Sequence, residues 1–482
     1  MKMKITLINL PWTFEIRWQG NTSIYPPLGL CYIASVLRDI GKFDVEIIDC
    51  PVLGLNKDQI KERLEKSKPD IVGIACISPV LHNITIEVSN IIKNIDKNIL
   101  VVIGGPYATS NYNNLLKENN IDIVMLGESE FTMLDVSSSV KEKKSFSKIK
   151  GIAYKEKNQI KCSEQRELLK DLDNLPFPAF DLLPSLNLYK PAFRYKRLPM
   201  ISINTSRGCP HTCLFCSSRI SGYRYNSAEY VFNELKFLHE KFGIKEFYIT
   251  DENFAILNNR VEKICDLIIK NKLDITWSCA GVTIASLSGN GLNIIPKMAK
   301  AGCWYIGFGL ESGNIEILKN NKATKIQNLD NVRKVLRECQ RNGIFTKGYF
   351  MLGLPTDTKK TIRETIDFAK SLPLDGVQFS LPVPYPGTEF YDFAIESGGQ
   401  FFSEDFDNMS GHANNPVYAP EGITREWLKK AQREAYREFY FRPNYIAKAL
   451  FKKVRSFEDL KRYVRQGSMY LKKTVLYKNS LS

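Results

Sequence analysis

The chain predicts an α/β fold in two successive parts: an N-terminal doubly wound parallel sheet, then a partial (β/α)6 barrel followed by a helical C-terminal region. Three observations predict it. Short apolar runs alternate with amphipathic helical patterns from residue 4 to residue 137. The alternation restarts at residue 200 and yields six further strand–helix units. Finally, 482 residues with 44% hydrophobic and 25% charged side chains are soluble-protein material and too much for one ordinary core.

In the first series the strand candidates are Ile5–Leu10, Val45–Ile48, Ile71–Ile77, Leu100–Ile103 and Ile123–Leu126. Helical patterns lie near Leu28–Ile40, Lys57–Lys66, Ile84–Ile95 and Tyr107–Asn119. Ligands of such sheets sit beyond the carboxyl ends of the strands. Those ends read Asn9-Leu10-Pro11-Trp12, Ser78-Pro79, Gly104-Gly105-Pro106 and Gly127-Glu128, where glycine lets a backbone come close to a large ligand. This part is assigned residues 1–140.

Residues 141–195 are assigned to a connector. It opens with the lysine-rich stretch Lys141–Lys150, carries a small hairpin at Gly151–Tyr154 and Gln159–Cys162, and contains Leu175-Pro176-Phe177-Pro178-Ala179. Prolines so placed exclude an interior helix or a central strand. The second series, residues 196–400, has strand candidates at Ile201–Thr205, Glu246–Thr250, Ile275–Cys279, Trp304–Gly309, Phe345–Leu352 and Gly376–Leu381. Ala228–Lys241, Arg260–Asn271, Leu329–Asn342 and Thr358–Ser371 are the helices between them. In barrels of this kind the chemistry sits at the strand carboxyl ends.

Residues 401–482 read as helical and basic. From Arg425 to Ser482 sixteen Lys or Arg face five Asp or Glu, which accounts for most of the chain's net +15. Trp427, Leu428, Ala431, Ala435 and Phe439 recur there at helical spacing. Such a stripe packs on a core or rests, with its basic flanks, on an anionic membrane. No nucleic-acid-binding module accompanies the charge, so no nucleic acid partner is expected.

No run of eighteen apolar residues exists, and the N-terminus lacks the layout of a secretory signal, so a cytoplasmic protein is expected. Seven of the eleven cysteines, at 31, 50, 76, 265, 279, 303 and 339, lie singly in apolar stretches and read as small buried hydrophobes. They form no disulfide framework.

The segment Thr205-Ser206-Arg207-Gly208-Cys209-Pro210-His211-Thr212-Cys213-Leu214-Phe215-Cys216 breaks that pattern, with three thiols in eight residues. Thiolates bind soft metal centres, and four usually complete an iron–sulfur or zinc site. Three on one loop leave a metal position open, as a site needs when a small molecule must coordinate it. Zinc would want a fourth ligand, and no second Cys-X-X-Cys pair exists. A redox pair of Cys213 and Cys216 leaves Cys209 unexplained.

With this spacing the sequence resembles the radical S-adenosylmethionine (SAM) superfamily. The resemblance implies a [4Fe-4S] cluster on Cys209, Cys213 and Cys216 whose open iron binds SAM and cleaves it to a 5′-deoxyadenosyl radical. Asp251, Glu252 and Asn253 are similar to the family segment that meets the methionyl amine, where a carboxylate would pair with ammonium. Glu311 and Ser312, in Gly309–Gly313, resemble the segment contacting the ribose and methionine end. Gly353, in Gly348–Pro355, and Phe215 match positions that lie against adenine. Ser278–Leu287 lacks the arginine that relatives often carry after the third strand.

The N-terminal part resembles the cobalamin-binding domain that precedes the barrel in one radical SAM subgroup, through Pro26–Leu30, Ile103–Pro106 and Leu126–Glu128. Residues 175–179 match that subgroup's connector, and Tyr440–Pro443 its C-terminal region. This is the branch with anaerobic magnesium-protoporphyrin monomethyl ester cyclases, hopanoid methylases and archaeal lipid ring synthases. It implies Rossmann-like cobalamin contacts at Pro11, Trp12, Ser78, Gly104, Gly105, Gly127 and Glu128. The Asp-X-His-X-X-Gly motif is absent, and none of the four histidines (82, 211, 239 and 412) has that context. Cobalt would therefore lack a histidine ligand.

The expected activity is methylation or cyclisation of an unactivated carbon in a lipid or other natural-product small molecule. An external donor such as ferredoxin or flavodoxin would supply electrons. No Gly-X-Ser-X-Gly elbow offers a competing acid–base chemistry. Radical SAM catalysis without working cobalamin, and a non-catalytic iron–sulfur sensor, are the alternatives.

Overall fold

The computed structural model describes residues 2–11, 24–157, 159–189, 191, 195–216, 222–323, 328–384, 388–402 and 416–448. The first sheet is built from β1 (Lys4–Asn9), β2 (Asp44–Asp49), β3 (Ile71–Ala75), β4 (Leu100–Gly104), β5 (Ile123–Met125), β6 (Ile152–Glu156) and β7 (Gln159–Cys162). Its order is β2-β1-β3-β4-β5-β6-β7, parallel through β5 and antiparallel thereafter. Its central strands are near-continuous apolar runs because helices cover both faces. Helices α1 (Leu28–Ser35) and α4 (Glu130–Lys141) bury Leu30, Ile33, Met133 and Val136 on one face. Helices α2 (Lys57–Ser67) and α3 (His82–Ile95) bury Ile60, Leu64, Val88 and Ile92 on the other. The strand order reverses at β1 and β3, which opens a crevice at their carboxyl ends.

Two local expectations differ from what is observed. The hairpin of the connector is no separate unit: β6 pairs with β5 and extends the first sheet beyond residue 140. Ile152, Ala153 and Tyr154 are buried by that pairing, while β7 is exposed throughout and ends the sheet. Tyr107–Asn119 is not one helix but two short ones, Pro106–Ser110 and Tyr112–Leu115.

The second sheet uses β8 (Met200–Ile203), β11 (Glu246–Ile249), β12 (Thr276–Val282), β13 (Cys303–Glu311), β14 (Phe345–Met351) and β15 (Gly376–Ser380). All six are parallel, adjacent in chain order, and left open between β8 and β15. Between β8 and β11 lie the two-residue strands β9 (Ser206–Arg207) and β10 (Arg224–Tyr225). The outer helices are α5 (Ala228–Phe242), α6 (Asn258–Lys270), α7 (Ile294–Lys300), α8 (Leu329–Arg341) and α9 (Lys359–Ser371). One core joins Ile201, Phe247, Trp277, Ile306, Phe350 and Phe379 of the strands to Val231, Leu235, Ile264, Val335 and Ile366 of the helices. By the two-residue period of a strand, Lys347 and Tyr349 face the opposite, inner side.

Helix α10 (Arg425–Tyr440) lies along the open edge. The Tyr440 hydroxyl accepts from Val377 N–H at 3.1 Å and donates to Val377 C=O at 3.0 Å. The Tyr436 hydroxyl treats Phe379 in the same way at 3.0 and 3.3 Å, and Gln432 Nε2 donates to Phe379 C=O at 2.8 Å. Four helical residues advance about 6 Å and two strand residues about 6.6 Å, so the side chains stay in step with the strand. Leu428, Ala431, Ala435 and Phe439 are buried in the barrel core. The apolar stripe is thus packed, and this face is not free to rest on a membrane. No helix among the described residues is long and apolar enough to cross one.

Candidate functional site

After β8 the chain enters the cysteine loop through a neck. β9 and β10 pair antiparallel, with Arg207 opposite Arg224 and Ser206 opposite Tyr225. Gly208 turns the chain with φ +79°, a left-handed value suited to glycine, directly before Cys209. Cys213 is buried, and Cys209 and Cys216 are half-buried. Cys216 N–H donates to Cys213 C=O at 3.1 Å, and Leu214 N–H donates to Asn321 C=O at 3.0 Å. Leu214 packs with Ile317, Leu354 and Phe390, and the Phe215 ring lies 6.4 Å from that of Phe390. These contacts pin the loop while its thiols remain on it. Among the described residues no three His, Cys, Asp or Glu side chains converge as ligands of one ion do. Three thiols carried on one loop are a donor set of the kind that ligates an iron–sulfur cluster.

The neck is braced from below. Asp251 accepts from Thr205 N–H, Thr205 Oγ1 and Ser206 Oγ, each at 2.6 Å. Arg260 donates to Thr205 C=O and Asn226 C=O, each at 2.7 Å. Asp251 is fully enclosed, and burial raises its pKa against the pull of Arg260 and these hydrogen bonds. Its carboxylate is therefore consumed inside the protein, not presented to a ligand. Asn253 is buried too, with Nδ2 donating to Thr283 Oγ1 at 3.3 Å. Of the expected trio, Glu252 alone is exposed, and the Gly208 N–H faces its carboxylate.

Glu311 ends β13 at a register shift and adopts φ +59°, a strained value for a non-glycine residue. The neighbouring Ser312 hydroxyl is buried against Thr365 Oγ1 at 3.0 Å, so it ties the loop to α9. Gly353 has φ +90°, and its N–H and that of Leu354 donate to Asp357 Oδ2 at 3.0 Å each. A Cβ there would stand 2.9 Å from Leu428. Gly353→Ala is expected to cost about 1–3 kcal/mol, measurable as a lower melting temperature.

At the carboxyl end of the first sheet, Gly105 has φ +120°, and an added Cβ would lie 2.7 Å from Cys76 O. Beside it Gly104 is buried, Ser78 is half-buried and Ile77 is 49% exposed. Gly127, with φ +80°, is exposed and has open space where a Cβ would stand. Pro11 is half-buried at the end of β1; Trp12 lies outside the described residues. This crevice, with a bare glycine turn and an uncovered isoleucine, fits a large apolar ring with amide edges.

Glu128 departs from its expected place. Its carboxylate takes both guanidinium nitrogens of Arg224, at 2.7 and 2.9 Å, and Arg207 at 3.3 Å. Burial alone would raise this carboxyl, but the hydrogen bonds and charges of Arg224 and Arg207 hold it below its ordinary value. Glu128 thus belongs to the joint between the two halves. A second joint was not expected from sequence. Tyr189 OH of the connector donates to Asp49 Oδ2 at 2.5 Å, and Asn9 Nδ2 donates to Asp49 Oδ1 at 2.8 Å. Asn9 and Asp49 end β1 and β2 in register, but nothing in the residue pattern marks Tyr189 as their partner.

Fold and site together define a two-cofactor enzyme whose cluster-bearing barrel is joined to a corrin-binding sheet. Residues 203–369 match the radical SAM superfamily, and residues 22–137 match the B12 binding domain. The chain is 34% identical over 458 residues to the uncharacterized methyltransferase PH0819 of Pyrococcus horikoshii, covering 93% of this chain and 95% of that one. It is 27% identical over 431 residues to the anaerobic magnesium-protoporphyrin IX monomethyl ester cyclase of Rubrivivax gelatinosus, covering 88% and 75%. Among solved structures, the cobalamin-dependent radical SAM enzyme OxsB with aqua-cobalamin bound shares the fold. Its TM-score is 0.74 at 19% identity, over 97% of this chain and 71% of that one. The radical SAM methyltransferase TsrM from Kitasatospora setae gives a TM-score of 0.65 at 19% identity, over 92% and 82%. The chain belongs to the B12-binding radical SAM proteins. Its cofactors are accordingly a [4Fe-4S] cluster and SAM, with cobalamin for the N-terminal domain.

Proposed function

We propose that the protein methylates an unactivated carbon of a small-molecule or lipid substrate in the cytoplasm, with electrons from an external ferredoxin or flavodoxin. Cyclisation is the second reading, favoured by the cyclase relative. The observation that carries a cobalamin-linked reaction is the joint itself: Arg207 and Arg224 of the cysteine neck are bonded to Glu128 and Glu130 at the carboxyl end of β5. The carboxyl ends of the two sheets are thus held against one another at this joint.

When bound, the cofactors supply radical formation from SAM and a methyl carrier. Cys209, Cys213 and Cys216 would hold the cluster, the exposed Glu252 the ammonium of SAM, and the backbone at Gly105 and Gly127 the corrin. Lys347 Nζ donates to Gln378 Oε1 at 2.6 Å, and the hydroxyls of Tyr305 and Tyr349 lie 3.1 Å apart on the inner wall. A few polar groups on an aromatic wall fix the orientation of a substrate that itself carries polar groups.

Anaerobic reconstitution with iron, sulfide and cobalamin tests the proposal. Bound corrinoid and 5′-deoxyadenosine formation are expected. Mass spectrometry of extracts with and without the gene should then reveal a product heavier by one methylene. A product lighter by two hydrogens would instead establish cyclisation, and reconstituted protein free of corrinoid would sink the cobalamin part.

A further inference from the structure

Glu128 and Glu130 connect two places that the chain keeps far apart. Arg207 is 77 residues from Glu130, and Arg224 is 96 residues from Glu128. The fork of Arg224 meets Glu128 with two hydrogen bonds, at 2.7 and 2.9 Å, and also donates to Leu169 C=O at 2.8 Å. Arg207 donates to Glu130 Oε1 at 2.6 Å, and its guanidinium stacks 5.3 Å above the Tyr32 ring of α1. The four charged side chains are only 10–19% exposed. Forked charge-assisted bonds in such shelter fix geometry as well as distance.

Two placements give the network a role beyond cohesion. The arginines stand opposite each other in the β9–β10 ladder, so the carboxylates grip both strands of the neck from which the cysteine loop emerges. On the other side, Glu128 directly follows Gly127, whose exposed left-handed turn edges the corrin crevice. A single peptide bond therefore links the crevice wall to the grip on the cluster loop. We propose that Glu128 is a positioning residue that couples the corrin crevice to the cluster loop, transmitting occupancy at the Gly127 turn to the Cys209 neck through Arg224 and Arg207. This deepens the proposed function and rests on its assumption that cobalamin and cluster work in one reaction.

The test compares the full-length protein with Glu128→Gln, with Arg224→Lys, which keeps the charge but loses the fork, and with the charge-exchanged double variant Glu128→Arg/Arg224→Glu. In apo protein, adding aquacobalamin is expected to slow amide hydrogen exchange in residues 208–216. In reconstituted protein it is expected to change the electron paramagnetic resonance spectrum of the reduced, SAM-bound cluster. Both responses should be lost in Glu128→Gln and in Arg224→Lys, with iron and corrinoid content kept. The double variant should recover a large part of the coupling. Single variants that respond to aquacobalamin as the native protein does would overturn the inference. So would a Glu128→Gln protein that fails to fold while Arg224→Lys behaves natively, which would leave the network a purely structural joint. Native protein that binds no corrinoid would instead fail the proposed function, a separate outcome.

Discussion

Cys213→Ala is expected to abolish reductive cleavage of SAM, with 5′-deoxyadenosine formation falling by at least about 100-fold, beyond the range seen when only an outer partner of a metal is removed. Iron and sulfide per chain after anaerobic reconstitution should fall with it. The fold should survive, because Leu214 and Phe215 anchor the loop independently through Phe390 and Asn321. Cys303→Ala is the matching control. Cys303 is buried at the first residue of β13, the amino end of the strand, away from the cysteine loop, and burial raises its thiol well above the ordinary pKa. Its removal should leave SAM cleavage within about twofold and cost only the small core cavity. Cleavage that persists in Cys213→Ala would remove the cluster from this loop.

The second large effect concerns stability. Glu234, on α5, is fully buried, and neither carboxylate oxygen has a hydrogen-bond partner. Burial first, and then the charge of Asp251, push its pKa up to about 8. A carboxyl whose pKa is raised in the fold contributes its full share of stability below its unfolded value near 4.5. That share is lost as pH rises through about 8. At about 1.4 kcal/mol per pKa unit, the loss above that window is of order 3–5 kcal/mol. Glu234→Gln should therefore melt several degrees higher than the native protein at pH 9 and at nearly the same temperature at pH 5. Parallel melting curves across that range would show that Glu234 is not a buried neutral acid.

Much of this was legible because burial leaves a period in the sequence. Strands covered on both faces read as apolar runs, and six of them in order placed the cysteine loop at a carboxyl end. The partner of a strand is not written in that period, so the sequence pattern does not show that β6 of the hairpin pairs with β5. Side-chain direction was equally hidden. Asp251, Glu252 and Asn253 are alike as polar residues, yet one braces the neck, one is exposed and one is buried, according to where the chain turns after β11. Glu128 lies after the end of β5, but its side chain faces the arginines across the joint. Glu234 left a usable signal: with Val231, Leu235 and Leu238 it shares the buried face of its helix, where a lone carboxylate is costly.

The tyrosines of α10 have a further consequence for how the molecule meets other copies of itself. A parallel wall that stops at six strands ends in a row of amide and carbonyl groups, the template on which extended segments dock by β-augmentation. Val377 and Phe379 already have both their donors and their acceptors satisfied by phenol hydroxyls. An incoming strand would have to displace a helix whose apolar side is sealed into the core, so the β15 edge is closed to growth into sheet-to-sheet polymers.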